Sequence, residues 1–416
     1  MASEIPLSSA TDSEDRAARL TPRDASLALV AGFLGWTLDA FDYFLVPISV
    51  SAIAKEFETD DATILFSTTL TLMFRPLGAF IFGLIADRYG RRIPMMANLV
   101  FFSAIEVATG FAPTLTTFFI LRALFGIGMG GEWGVGTSLV MEKVPPRWRG
   151  LLSGLLQEGY AVGFLLAAMA AHFVLPAYGW RPLFFLGGLP ALLALFIRFF
   201  VKESEVWQKS KAESWSHLGR AIRSHWKLFL YLVVLMSMMN FASHGTQDAY
   251  PSFIKKHHGY DEKQYTNVVM IAMTGAIFGG LSFGFASDWF GRRRMMIAAF
   301  LGGLFVIEAW AFSDGLAWIA CGGFLMQFMV QGAWGIVPAH ISELSPNQVR
   351  GFLPGFAYQC GNLVAASIGW LQASLAPLYG YPAVMATSAT AIFAVAILVV
   401  AAGPERHRAL FGAENS

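Results

Sequence analysis

In the stretch "NFASHGTQDAY" (240–250), Asn240, His244 and Asp248 fall at i, i+4 and i+8, with Gln247 beside them. On a helix that spacing puts the three on one stripe. Histidine is the side chain whose charge ordinarily changes between about pH 5 and 8, and an acid one turn on can partner the protonated ring. The stripe therefore suits proton exchange and hydrogen bonding to a polar ligand. It directly follows the apolar run "LFLYLVVLMSMM", so it sits in a segment fit for lipid. There polar groups are costly and mark function.

Other ionisable residues share that setting. "LDAFDYF" places Asp39 and Asp42 three residues apart, on one helical face. Arg75 precedes Asp87 by twelve residues, about 18 Å of helix, and a later apolar segment carries Arg122 and Glu132. Arginines in lipid need acids, and Asp39 or Asp42 with Arg75 or Arg122 is the natural pairing. Either the pair only orients helices, or one arginine is free to grip a carboxylate through its planar fork. The expected substrate-binding set is Arg75, Arg122, Asn240, His244 and Gln247, joined by Gln331 and Asn362. Gln331–Trp334 and Gln359–Asn362 are i, i+3 pairs that face either a cavity or a neighbouring helix. The expected proton-handling set is Asp39, Asp42, Glu132, His244 and Asp248.

These residues need a membrane to position them. The 416 residues are 56% hydrophobic and 14% charged, against roughly 25% charged in soluble domains. A spanning helix takes about 20 apolar residues, and that length predicts twelve segments, the first at 27–50 and the eleventh at 351–375. Loops after even-numbered segments carry Arg88, Arg91, Arg92, Lys143, Arg147, Arg149, Arg292, Arg293, Arg294, Arg350 and the six basic residues from Lys202 to Lys227. Loops after odd-numbered segments carry only Lys55, Arg181, Lys255, Lys256 and Lys263. The positive-inside rule then puts both termini in the cytoplasm of a multi-pass cell-membrane protein. The expected layout is a tail (1–26), a six-helix bundle (27–201), an amphipathic linker (202–227), a second bundle (228–402) and a tail (403–416).

Net charge of +1 argues against nucleic acid, and Cys321 and Cys360 suggest no disulfide framework. Neither His-Glu-x-x-His, Gly-x-Ser-x-Gly nor a glycine-rich phosphate loop is present. No enzyme, metal or cofactor is expected.

The halves repeat. "GLIADRYGRR" (83–92) returns as "GFASDWFGRR" (284–293), an offset of 201 that also carries "GEWG" (131–134) onto "GAWG" (332–335) and Glu142 onto Glu343. Parallel six-helix repeats with a site between them are a known transporter design. Glu106 and Glu308 lie one residue off that register and read as packing groups.

On these motifs the chain resembles the major facilitator superfamily over nearly its whole length. That implies an all-α membrane fold of two pseudo-symmetric six-helix bundles. Asp87, Arg88, Gly90, Arg91 and Arg92 with Glu142 and Arg149, and Asp288, Arg292 and Arg293 with Glu343 and Arg350, then form a cytosolic latch that holds and releases the halves. The seventh segment is similar to that of the fungal Jen-type carboxylate permeases in the sialate:proton symporter branch, through Asn240, Ser243, His244, Gln247 and Asp248. Thr246 and Ser252 depart from it, hydroxyl for hydroxyl. The resemblance implies a proton-coupled monomeric carrier of a lactate- or pyruvate-like acid. Sialic acid or an aromatic acid is the alternative.

Overall fold

The computed structural model describes residues 22–212 and 214–412. Among them every regular element is helical. That is the form lipid imposes, since each backbone N–H and C=O must be satisfied within its own segment.

Among the described residues eleven helices are long and apolar enough to cross a membrane. The first four are Pro22–Glu56, Asp61–Tyr89, Arg92–Gly110 and Leu115–Lys143. The fifth is broken at Glu158 into Arg149–Gln157 and Gly159–Tyr178, and the sixth runs as Arg181–Leu186 and Pro190–Phe200. The seventh to tenth are Trp226–Gln247, Glu262–Phe290, Arg292–Ala311 and Leu316–Leu344, and the twelfth is Tyr381–Ala402. The eleventh segment is the exception. It is interrupted at Ala366, leaving Leu353–Ala365 and Ser367–Tyr379 at thirteen residues each, too short singly to span.

The first helix begins at Pro22, inside the region expected as tail. Proline at the first helical turn and Asp24 near the positive end of the helix dipole favour that start. Residues 1–21 lie outside the described residues. The linker carries two short helices, Glu205–Ser210 and Trp215–Ser224, each with a serine cap. In the second, Leu218 and Ala221 are buried while Arg220 and Arg223 are exposed, the amphipathic pattern expected.

The repeat is visible in the packing. A Cβ on Gly78 would stand 1.8 Å from the carbonyl of Ile127, and one on Gly279 would stand 2.1 Å from that of Phe328. Both residue pairs are related by the offset of 201. Only glycine lets the second helix lie so close to the fourth, and the eighth to the tenth.

The two bundles meet through further glycines between the cavity and the helix ends that carry the arginine clusters, those ends being here termed the basic face. A Cβ on Gly134 would stand 2.6 Å from the Cα of Gly355, and one on Gly154 would stand 2.4 Å from the carbonyl of Gly280. Toward the opposite ends the bundles part around a cavity.

Candidate functional site

The cavity measures about 350 Å³ and lies between the bundles. Tyr265, near the start of the eighth helix, lines it at one end; Trp36, Trp334 and Tyr358 line it at mid-depth. Tyr358 anchors an aromatic floor. Its ring centroid lies 4.6 Å from that of Trp133, 5.6 Å from Trp334 and 6.5 Å from Trp36. Trp36 in turn stacks on Tyr160 at 5.5 Å. The floor is thus built from the first, fourth, fifth, tenth and eleventh helices.

The seventh helix supplies the polar wall. Asn240, His244, Gln247 and Asp248 all line the cavity, as their spacing predicts. His244 Nδ1 lies 3.3 Å from Asp248 Oδ1, and Nε2 lies 3.0 Å from Asn362 Oδ1. Both neighbours are acceptors, so the two contacts coexist only when both ring nitrogens carry hydrogen. Gln331 donates to Ser243 Oγ at 3.2 Å, and Gln247 donates to Gln327 Oε1 at 2.8 Å. The amide of Asn240 donates to the Met236 carbonyl at 2.8 Å, one turn back in its own helix.

The expected charges of the N-terminal bundle fall elsewhere. Arg122 pairs with Glu106 at 2.8 and 3.0 Å, both fully buried, and stands over the Phe125 ring at 4.1 Å. It lies outside the cavity and meets neither Asp39 nor Asp42, which corrects its assignment to the substrate. The third helix lies against the fourth and presents Glu106 there, so the nearer acid takes the guanidinium. Glu106 is thereby a structural partner. Arg75 is buried too, with Nε and Nη2 unpartnered, and its Cζ is 5.6 Å from the Tyr358 ring centroid. It lies behind the floor and does not line the cavity. All four carboxylate oxygens of Asp39 and Asp42 are buried without a hydrogen-bond partner, as is Glu132 Oε1. None of these three acids lines the cavity.

The latch residues do come together. Asp87 accepts from the backbone N–H of Gly351 and Phe352 at 2.8 and 2.9 Å, and Asp288 from Gly150 and Leu151 at 2.8 and 3.0 Å. Each aspartate thereby caps the facing bundle. Arg91 pairs with Asp87 at 2.5 Å and Glu142 at 3.1 Å; Arg292 pairs with Asp288 at 2.8 Å and Glu343 at 3.0 Å. Across the seam Arg149 meets Glu343 at 3.1 Å, and Arg350 stands 3.5 Å from Glu142. Burial opposes the charge on Arg91, yet Glu142 and Asp87 hold its pKa above the usual arginine value. At Arg350 burial prevails over Glu142 and brings the guanidinium down to about 10.

Three expected latch members do not reach across. Arg92 donates to the carbonyls of Ile197 and Arg198, and Arg293 to those of Val400 and Ala401, each within its own bundle. Arg88 donates to the linker carbonyl of Ala212 at 3.3 Å. Their helical phase points them away from the seam. Gly90 supplies the turn at φ 109°, a conformation glycine adopts freely.

Some residues at these sites had no expected role. Glu158 lines the cavity at the break in the fifth helix. Tyr160 and Phe164, one turn apart, line it too; their i, i+4 spacing is the one available signal. Phe411 of the C-terminal segment sits between the guanidinium groups of Arg149 and Arg350, 3.9 and 3.8 Å from its ring centroid. Nothing in its local sequence marks it.

Two pseudo-symmetric bundles, an intervening cavity and matched acid–arginine clusters agree with the comparison to known families. The Major Facilitator Superfamily model matches residues 31–369 and 249–414. The chain belongs to the Major Facilitator Superfamily. Facilitators of this superfamily are transporters rather than enzymes, as the absence of a reactive motif had suggested. Among its relatives this facilitator is 31% identical over 375 residues to a carboxylic acid transporter protein homolog of Saccharomyces cerevisiae, covering 84% of this chain and 61% of the yeast protein. The chain thus spans less than two thirds of that relative. It is 27% identical over 380 residues to the sialic acid transporter NanX of Escherichia coli, covering 90% and 93%. The facilitator's fold matches the solved proton:xylose symporter XylE, bound to 6-bromo-6-deoxy-D-glucose, with a TM-score of 0.76 over 94% of this chain and 98% of that one at 18% identity.

Proposed function

We propose that this facilitator carries a small carboxylate together with a proton by alternating access. The observation that supports it most is the His244–Asp248 pair on the wall of the cavity between the bundles, with the buried Asn362 holding the ring from the eleventh segment. A ring held between a carboxylate and an amide can lose a proton to Asp248 or to a bound anion, while Asn240 and Gln331 offer uncharged contacts to the substrate. The basic face is read as cytosolic from its arginines, so the closed latch below the cavity corresponds to the outward-facing state. Symport follows from charge: an anion entering an interior-negative cell needs a compensating cation. Both termini then lie in the cytoplasm of a cell-membrane protein that works as a monomer.

The carboxylic acid and sialic acid relatives favour an acid. We infer a lactate- or pyruvate-like monocarboxylate first. A planar aromatic acid is the second reading, favoured by the aromatic lining and by a volume in the range of sites for larger ligands, about 300 Å³ upward. Labelled L-lactate and nicotinate, offered separately to proteoliposomes with and without an inward proton gradient, test both. Gradient-dependent accumulation of either supports the class and chooses within it. Exchange without gradient dependence would remove proton coupling.

A further inference from the structure

The cavity presents two carboxylates and neither lysine nor arginine. Asp248 has His244 as its partner. Glu158 is 7% exposed, and among the described residues no hydrogen bond or ion pair reaches its carboxyl group. It occupies the break between the two pieces of the fifth helix, where its Oε1 lies 2.1 Å from the position a Cβ on Gly280 would take. The carboxyl group therefore touches the eighth helix of the other bundle and opens to the cavity.

The titratable groups that share this space are few. His244 and Asp248 face it from the seventh helix, Tyr265 from the eighth, Tyr358 from the eleventh, and Tyr43 from the first. Tyr160 lies on its own helix, with Arg75 behind Tyr358. None of these pairs with Glu158. A lone carboxylate charge in such a place is costly, and an anionic substrate would add a second one. A proton on Glu158 relieves both costs, because the neutral acid can donate a hydrogen bond to the substrate.

We propose that Glu158 binds the transported proton and that its acid O–H hydrogen-bonds the substrate carboxylate in the cavity. This rests on the symport reading above. The proton comes from the solution on the cavity side and leaves to the basic-face solution after the bundles rearrange, so one anion and one proton cross with no net charge. Gly280 makes the arrangement sensitive to bundle position: the neutral group can lie against helix backbone, whereas the ionised one needs water.

The test uses the full chain in proteoliposomes, with L-lactate and nicotinate as probes and Glu158→Gln and Glu158→Asp as variants. Expected for Glu158→Gln is a fall in proton-driven accumulation of about tenfold, in the range of a linked binding free energy. The pH profile of counterflow should flatten relative to that of the wild type. Glu158→Asp, which keeps the acid, should recover part of the accumulation. Accumulation by Glu158→Gln at the wild-type level would overturn the assignment, as would equal loss in both variants with an unchanged counterflow profile. A wild-type protein that performs counterflow yet ignores the proton gradient overturns the symport reading itself. If a sodium gradient drives wild-type accumulation and Glu158→Gln abolishes it, the site takes sodium and the proton assignment falls.

Discussion

Arg149 donates to Glu343 across the seam at 3.1 Å, and the same carboxylate receives Arg292 from its own bundle. Glu343 is thus shared between a bond that breaks when the basic face opens and one that need not. Removing one partner of a buried pair costs about 3–5 kcal/mol, so Glu343→Gln should shift the balance toward an open basic face. Spin labels at positions 148 and 285, whose native side chains stack across the seam at 6.2 Å, report it in a cysteine-free background. Expected is a longer distance population in Glu343→Gln; an unchanged distribution would show that the glycine contacts alone hold the closure.

The Arg122–Glu106 pair is predicted to matter for stability and not for recognition. Arg122→Gln alone leaves Glu106 buried and unpaired, at a cost of about 3–5 kcal/mol, whereas replacing both by leucine should recover most of that loss. Thermal unfolding in detergent checks the stability. Equal substrate affinity in wild type and the double variant, by competition of counterflow, checks the second half. A large affinity loss would return Arg122 to the binding site.

His244→Ala removes the group that joins the seventh helix to Asn362 of the eleventh. Proton-driven accumulation should fall more than counterflow. Asn362→Ala keeps the His244–Asp248 contact at 3.3 Å and should weaken both activities alike. If His244→Ala lowers both equally, the ring binds substrate and does not couple the proton.

Phe411 lies between two guanidinium groups from opposite bundles, and Arg149 also donates to the Ala409 carbonyl at 2.9 Å. Each cation–ring contact stabilises by about 0.5–2 kcal/mol, more when desolvated. Phe411→Ala should therefore loosen the closed basic face less than Glu343→Gln does. The same pair of spin labels gives the comparison, and a larger effect from Phe411→Ala would make the tail the dominant brace.

What the sequence determined by itself was local or repetitive. Apolar length marks twelve spanning segments, because lipid demands internal hydrogen bonding whatever the tertiary arrangement, but it gives no sign of the breaks in the fifth, sixth and eleventh. The i, i+4, i+8 spacing of Asn240, His244 and Asp248 places them on one stripe for the same local reason. The offset of 201 pairs Asp87 with Asp288 and Glu142 with Glu343, and matched residues take matched places when the bundles share a fold. Tertiary structure decided the partners. Arg122 chose Glu106 over two aspartates, Arg75 went behind Tyr358, Arg92 and Arg293 turned inward, and Glu158 reached the cavity. A buried charge takes the acid that helix crossing brings within about 3 Å, and crossing depends on glycine contacts between segments far apart in the chain. The place of Phe411 between two distant arginines depends on that same assembly.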